Sequence, residues 1–289
     1  MNGLAAFYKK NSDKLLNNKE LYSKLEYFNG IYNTKHSSLE ILNIHIEEAA
    51  DTLNLLKNLD LKKKRLLEIG GGVGLTYGYL KKAGVDIYTL EPAKSGFSSY
   101  YETGKTILKI LNIDSANYLP LKAEEADKLN LKFDVVYSNY VIEHLKNFPK
   151  IVPKLKKILK ITGIMMHRTY NYLFPYEPHF RIPLLPFKPE LTAKIIKFLE
   201  TSDLWKNLYF VNPFILDRIA RANKLEIIYQ KDAFHQALRR MDRDAEFRKR
   251  HKRFLPIFTF LKLTGLLKLV EFFPPHLLTP IEFQLKHTY

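Results

Sequence analysis

The segment Glu68-Ile69-Gly70-Gly71-Gly72-Val73-Gly74 constrains this chain more than any other stretch. A strand-like run over residues 65–69, Arg-Leu-Leu-Glu-Ile, leads into it, and an amphipathic run over 75–83 leaves it. A strand that passes through alternating glycines into a helix can make a sharp turn there. Its backbone can then approach a nucleotide-like ligand closely. Further on, Glu91 ends the next strand-like run, 85–90, where a carboxylate can accept both hydrogen bonds from a ribose diol. Glu68, Gly70, Gly71, Gly72, Gly74 and Glu91 are therefore candidate cofactor residues.

The glycine spacing also excludes two other sites. A dinucleotide fingerprint counted from Gly70 requires glycine or alanine at position 75, but Leu75 stands there and the third glycine comes one residue early. Gly104-Lys105-Thr106 is not a phosphate loop, because Ser99 occupies the leading-glycine position and the tripeptide lies in a helical stretch.

The flanking pattern gives the fold. Ser37 with Glu40 forms a capping box that opens a helix with apolar positions Leu42, Ile46, Ala49, Leu53 and Leu56. Strands at 65–69, 85–90, 118–122, 133–138 and 163–169 alternate with helices at 75–83 and 95–111. A basic helix, started by Pro149 or Pro153, ends near Lys160. Such alternation implies parallel strands with crossover helices, and so a doubly wound α/β sheet. After Tyr170, five prolines from Pro175 to Pro189 punctuate a long loop. A helix capped by Asn212 with Pro213 at its first position, a strand at 225–230 and a last strand at 280–286 then restore the pattern. The expected organisation is an N-terminal helical cap (1–60), a cofactor-binding core (61–236) with a substrate loop (170–212), a basic and amphipathic helical insertion (237–279), and a final strand (280–289).

With the E-x-G-x-G-x-G turn as its first motif, the chain resembles the class I S-adenosylmethionine-dependent methyltransferases. Glu125-Ala126-Asp127-Lys128-Leu129 is similar to that family's acidic-Ala segment, and Phe133-Asp134-Val135-Val136-Tyr137-Ser138-Asn139 to the strand after it. Val141-Ile142-Glu143-His144-Leu145 is similar to the E-H motif of the small-molecule group that includes quinone-biosynthesis methyltransferases. The resemblance covers roughly residues 60–170. It implies a Rossmann-like, mostly parallel seven-stranded sheet with N-terminal helices and helical insertions near the C-terminus, and S-adenosyl-L-methionine as cofactor. By that likeness Glu125 accepts the adenine amino hydrogen, the Ala126 amide donates to the ring, Glu68 and Gly70 lie near the methionine moiety, and Asn139 joins the cofactor set. Ser138-Asn139-Tyr140-Val141 departs from the N/D-P-P-Y sequence of base N-methylating relatives, which argues against that chemistry.

A hydroxyl acceptor must lose its proton as it is methylated, so a nearby base is required, whereas a phosphate or carboxylate acceptor needs none. His144, past the fourth strand, and His179, in Tyr176-Glu177-Pro178-His179-Phe180, are the candidate bases, with Glu177 as orienter. Glu177 and His179 have a second reading, in which they tie the loop together. Tyr170, Tyr176 and Arg168 are candidate substrate contacts, and Arg168 can equally pair with a carboxylate inside the fold. The other histidines show no ligand spacing, and no metal is expected.

Lysine and arginine outnumber acids 46 to 30, giving +16, and no cysteine is present. An anionic partner or surface suits that charge. The basic run Arg239–Arg253 is interleaved with Asp242, Asp244 and Glu246 and matches no nucleic-acid motif, which disfavours nucleic acid. From Phe254 to Leu278 the chain is greasy but interrupted by charges and prolines, too often for a bilayer span. A helix from Phe254 would gather Thr264, Lys268 and Glu271 on one narrow face, leaving an apolar surface that either packs as a lid or docks on an anionic membrane. With no signal-peptide pattern at the N-terminus, the expected location is the cytoplasm, peripheral at the membrane if the docking alternative holds. The expected acceptor is a small molecule, glycan or lipid-linked compound; a phospholipid or quinone-type lipid, and an RNA-binding scaffold, are the alternatives.

Overall fold

In the computed structural model, which describes residues 2–32, 35–93, 98–186, 188–243, 247–248 and 252–288, seven strands join one sheet. They are β1 (Arg65–Ile69), β2 (Asp86–Leu90), β3 (Tyr118–Leu119), β4 (Phe133–Asn139), β5 (Leu159–Thr169), and, after a separate hairpin of β6 (Tyr176–Glu177) and β7 (Ile182–Pro183), β8 (Leu225–Gln230) and β9 (Ile281–His287). The order is β3-β2-β1-β4-β5-β9-β8. β1 runs parallel to both β2 and β4, so the sheet reverses its winding beside β1, where open α/β sheets hold their ligands. The final pair, β8 with β9, is antiparallel. The doubly wound, seven-stranded reading therefore stands.

The chain divides into two compact units, residues 1–141 with 147–166 and 289, and residues 142–146 with 167–288. In the first, helices α1 (Asn2–Lys10), α2 (Ser12–Leu16), α3 (Lys19–Tyr32) and α4 (Ser38–Leu55) precede the sheet. The Ser37 hydroxyl accepts from the Glu40 amide at 3.3 Å, and the Glu40 carboxylate accepts from the Ser37 amide at 2.7 Å, so the capping box forms in both directions. Helices α5 (Leu75–Lys82), α6 (Ser98–Ile110) and α7 (Phe148–Ile158) are the crossovers. Leu4, Tyr8, Phe28, Leu42 and Ile46 from the N-terminal helices share one core with Leu66, Tyr77, Ile87, Ile107 and Val135. Each large side chain removed from water there contributes about 1.5–3 kcal/mol. α7 begins at Phe148, keeps Pro153 inside it, and runs straight into β5, which starts at Leu159 rather than at Gly163 as the sequence suggested.

In the second unit the proline-rich loop has its own small core, Tyr172, Leu184, Leu199, Trp205 and Leu208, beneath the hairpin and the short helices α8 (Thr192–Ile195), α9 (Phe198–Thr201) and α10 (Asp203–Asn207). α11 (Pro213–Ala222) starts as the sequence indicates, with the Ile215 amide donating to Asn212 Oδ1 at 3.0 Å. After α12 (Asp232–Arg243) the structure corrects the sequence reading. The apolar helix α13 (Leu255–Leu263) stops at Thr264, whose hydroxyl turns back to the Phe260 carbonyl at 2.8 Å; Gly265 then takes φ 74°, and the chain continues as a 3-10 segment, Leu266–Phe272. The single face of Thr264, Lys268 and Glu271 does not exist. Parts of the basic run, 244–246 and 249–251, lie outside the described residues, as does the side chain of Glu271.

Candidate cofactor site and acceptor cluster

The glycine loop is held from below by the chain itself. Gly70 and Gly71 amides donate to the Leu90 carbonyl at 2.8 and 3.3 Å, so the end of β2 anchors the turn leaving β1. Gly70, Gly72 and Gly74 take φ of 74°, 54° and 71°, a region that side chains with a Cβ enter at a cost. A Cβ at Gly70 would strike Val141 and one at Gly71 would strike Thr89, whereas one at Gly72 would meet nothing within 4 Å. The loop thus turns two tightly packed positions inward and one, Gly72, toward open space.

The Gly72 amide donates to Glu91 Oε2 at 2.8 Å, and its carbonyl accepts from the Tyr118 hydroxyl at 2.5 Å. Tyr118 is stacked on Tyr101 with centroids 5.1 Å apart. Burial pushes Glu91 up to about 8, against the pull of the Gly72 amide and with a small further push from Glu68. A carboxyl at this place, beside the open position at Gly72, is suited to accept the hydroxyls of a ribose. Glu68 is also buried and pushed up to about 7 by burial; it accepts from the Thr89 hydroxyl at 2.9 Å. Glu68 thereby braces the floor of the loop, and Gly71 lies directly over its carboxyl.

Two further cofactor candidates are engaged within the fold. Glu125 sits in the 3-10 turn Ala123–Leu129, where it accepts from the Lys122 amide at 3.1 Å and from Lys128 Nζ at 2.7 Å; Ala126 is wholly buried. Asn139, at the end of β4, donates to the Thr52 hydroxyl on α4 at 3.1 Å, and its buried Oδ1 has no partner. An unmatched buried acceptor beside the winding reversal fits a donor group on a bound nucleoside. The open position at Gly72, the buried Glu91 and the free Asn139 oxygen together fit the cofactor implied by the motifs.

In the second unit, His144, Tyr170, Glu177 and His179 come together. Glu177 is fully buried; its Oε1 lies 2.6 Å from His179 Nδ1, and its Oε2 accepts from the Phe180 amide, also at 2.6 Å. The Tyr172 hydroxyl adds a third bond to Glu177 at 3.3 Å. The His179 ring lies 5.1 Å from that of His144 and 5.6 Å from that of Tyr170. Burial pulls the His179 imidazole down, but the Glu177 bond and charge, with Glu143 behind them, lift it above its ordinary value. Burial, with the adjacent His179, holds His144 down at about 3, and its buried Nδ1 has no partner.

Glu143 belongs to the Val141–Leu145 motif, which by itself assigns it no role. It is completely buried, accepts from the Thr169 hydroxyl at 2.8 Å, leaves Oε1 unpartnered and is pushed up to about 7 by burial. Thr169 and Tyr118 are revealed only by partners 26 and 46 residues away, and Tyr172 only by its burial against Glu177. Arg168 takes the second of its two options: its guanidinium is buried on Glu282 at 2.8 Å and Gln236 at 3.0 Å. The ring of Tyr176 packs edge-on against Phe254 at 4.9 Å.

A turn of this geometry at the winding reversal of a 3-2-1-4-5 sheet defines a nucleoside-cofactor α/β enzyme. Residues 42–254 match the family model described as a methyltransferase domain, and the chain belongs to that family. A ubiquinone biosynthesis O-methyltransferase of Rickettsia typhi is 30% identical over 206 residues, covering 68% of this chain and 80% of that protein. An uncharacterized protein of Mycobacterium tuberculosis is 29% identical over 201 residues, 66% of this chain and 67% of the relative. Among solved structures, the cyclopropane synthase MmaA2 of Mycobacterium tuberculosis matches with a TM-score of 0.49 and 18% identity over 82% of this chain and 81% of that one. The protein is a class I methyltransferase that uses S-adenosyl-L-methionine.

Proposed function

We propose that this enzyme methylates a hydroxyl group on a small-molecule, glycan or lipid-linked acceptor brought to it at a membrane surface, with His179 as the proton acceptor. The bound cofactor supplies an electrophilic methyl group on a positively charged sulfur. Gly70, Gly71, Gly72 and Gly74 shape its cradle, Glu91 receives the ribose hydroxyls, and Asn139 accepts one further donor; Glu125 and Ala126 carry the adenine role through family likeness. As the acceptor oxygen gains its methyl group, its proton passes to His179 Nε2, because Nδ1 is already held by Glu177.

The 2.6 Å Glu177–His179 pair carries this reading. A carboxylate fixed by the Phe180 amide and the Tyr172 hydroxyl sets the tautomer of the imidazole and stabilises the imidazolium that forms. Burial and the adjacent His179 hold His144 down at about 3, which makes it the weaker base of the two; with the unpartnered Glu143 oxygen it supports a role in receiving the acceptor's polar groups. Tyr170, over the edge of His179, is the accompanying apolar wall. A phospholipid or quinone-type acceptor is the second reading, and it is consistent with the ubiquinone O-methyltransferase relative.

The test is to incubate methyl-labelled cofactor with fractionated extract and follow the label into lipid, glycan, RNA or protein, in parallel with His179→Ala. The proposal expects label in an ether of a small-molecule, glycan or lipid fraction, lost in the variant. Label in RNA or protein overturns the acceptor class. Undiminished labelling by His179→Ala overturns the base.

A further inference from the structure

α13, with the sequence Leu-Pro-Ile-Phe-Thr-Phe-Leu-Lys-Leu, contains no buried residue. Ile257 is 59% exposed, Phe260 60% and Leu263 83%; beyond Gly265, Leu269 is 51% exposed, Phe272 84% and Phe273 51%. An apolar surface this continuous on a folded chain marks an interaction site. Leu255, Phe258 and Leu261 are half-buried along one side of the helix, while Ile257, Phe260 and Leu263 stand exposed on the rest of its surface.

The stretch is nevertheless anchored. The Phe254 ring lies on Tyr176, the Lys262 ammonium pairs with Asp242 of α12 at 2.6 Å, and the His276 and Leu278 carbonyls accept from the Asn171 side chain at 3.0 Å each. Held at its start, middle and end, it presents Ile257, Phe260, Leu263 and Phe272 outward. Among the described residues, exposed cations flank it: Arg239 on α12, Lys252 just before α13, and Lys268 beyond it. No helix among the described residues is long and apolar enough to cross a membrane.

We infer that residues 254–277 are an interfacial anchor, bedding their apolar side chains among the acyl chains of an anionic bilayer while Arg239, Lys252 and Lys268 meet the headgroups. Apolar residues fringed by cations, on a chain with net charge +16, match a negative lipid surface. A second copy of the chain is a poorer occupant, because a self-complementary contact would bring these like charges together. That the lipid also delivers the acceptor rests on the methyl-transfer reading above; the docking itself does not. Tyr176 belongs to the same hairpin strand as Glu177, so the anchor is one residue from the carboxylate that holds His179.

The experiment is flotation of the full chain with vesicles of phosphatidylcholine mixed with phosphatidylglycerol, and with phosphatidylcholine alone, at low and high salt. The expected result is flotation with the anionic vesicles that weakens as salt rises, and little with the neutral ones. Combining Ile257→Asp, Phe260→Asp and Leu263→Asp should weaken partitioning at least about tenfold. The combination Arg239→Glu, Lys252→Glu and Lys268→Glu should remove the preference for anionic lipid. Unchanged binding of S-adenosylhomocysteine, measured by calorimetry on each variant, establishes that the fold survives. Absence of the intact protein from anionic vesicles at low salt overturns the inference, as does equal flotation of the aspartate variant. So does a wild-type dimer that the aspartate variant converts to monomer without any vesicle binding. Because the readout involves no methyl transfer, loss of docking leaves the His179 reading standing, and an inactive His179 proposal leaves docking standing.

Discussion

At residues 70–74 each bend of the backbone is matched by a partner from the chain's own body, the Leu90 carbonyl, the Glu91 carboxyl and the Tyr118 hydroxyl among them. At residues 254–277 the chain is pinned at a few points and leaves Ile257, Phe260, Leu263 and Phe272 uncovered. The first region is preorganised, so its geometry is already set before a ligand arrives. The second, on the docking proposed above, is completed by something outside the chain. Perturbing the two should therefore give opposite signatures: loss of ligand without loss of fold in one, loss of a surface partner with almost no change in stability in the other.

The largest expected effect is at Gly72. Gly72→Val should abolish measurable binding of S-adenosylhomocysteine, because the new side chain enters the only space around the loop that no protein atom fills within 4 Å among the three consecutive glycines. The positive φ adds about 1–2 kcal/mol of strain, visible as a modest fall in melting temperature. Gly71→Ala should reverse the balance, costing about 1–3 kcal/mol of stability because its Cβ meets Thr89. Full-strength binding by a folded Gly72→Val protein would remove Gly72 from the cradle.

His179→Ala should lower turnover about 10²–10⁴-fold with cofactor affinity unchanged. The pH profile sharpens this. His179 accepts a proton only when neutral, and Glu177 and Glu143 raise it above its ordinary value against the effect of burial, with neutral His144 and Tyr170 as the other neighbouring rings. kcat/KM should therefore climb with pH to an inflection above about 6.5. Glu177→Gln should move that inflection downward and lower the plateau. A flat profile across this range would assign proton removal elsewhere.

Above about pH 8, where Glu91 is ionised, Glu91→Ala should weaken S-adenosylhomocysteine binding by about 1.5–3 kcal/mol, the value of hydrogen bonds to a charged group. The direction with pH follows from burial. Glu91 is pushed up to about 8, so at neutral pH it is mostly protonated, while a carboxylate accepting both ribose hydroxyls must be ionised. Affinity should rise with pH by up to about tenfold per unit until about pH 8, and the variant should lose that slope. An identical slope in Glu91→Ala would place the titrating group elsewhere.

The difference between the regions also decides what the sequence alone could show. β1 and β8 have the bounds their residue patterns indicate, and α4 and α11 start at the expected caps, because alternation, capping and turn chemistry are local. The glycine loop was legible for the same reason: few other residues tolerate that backbone. Glu143, Thr169 and Tyr172 were not, since their meanings depend on partners 26 residues away in one case and on burial in the others. Arg168 had two chemically equal futures, a ligand or Glu282, 114 residues along, and only the folded chain separates them. Residues 254–277 had the same ambiguity on a larger scale. Apolar spacing shows that a surface avoids water, but it does not show whether protein or lipid covers it. The single helix read there ends early because Gly265 breaks it.

The smallest expected effect is the one that most directly tests this division. Leu66 on β1 is completely buried, and Leu66→Ala should cost about 2–5 kcal/mol, through lost transfer energy and the cavity left behind. Leu263 is chemically the same residue but 83% exposed, and Leu263→Ser should change stability by no more than about 0.5 kcal/mol in either direction. Denaturant unfolding of the two variants, with the denaturant slope compared as well as the midpoint, measures both costs on one scale. The slope matters because an apolar surface that already faces water exposes nothing new on unfolding, so Leu263→Ser should leave it unchanged. Repeating the Leu263 measurement with anionic vesicles present converts the null into a signal. Wild-type protein should then gain apparent stability as lipid concentration rises, since only the folded state displays the anchor, and the serine variant should gain less. A cost of about 2 kcal/mol or more for Leu263→Ser without lipid would mean that α13 is packed against protein in solution, and the contrast between the two regions would collapse.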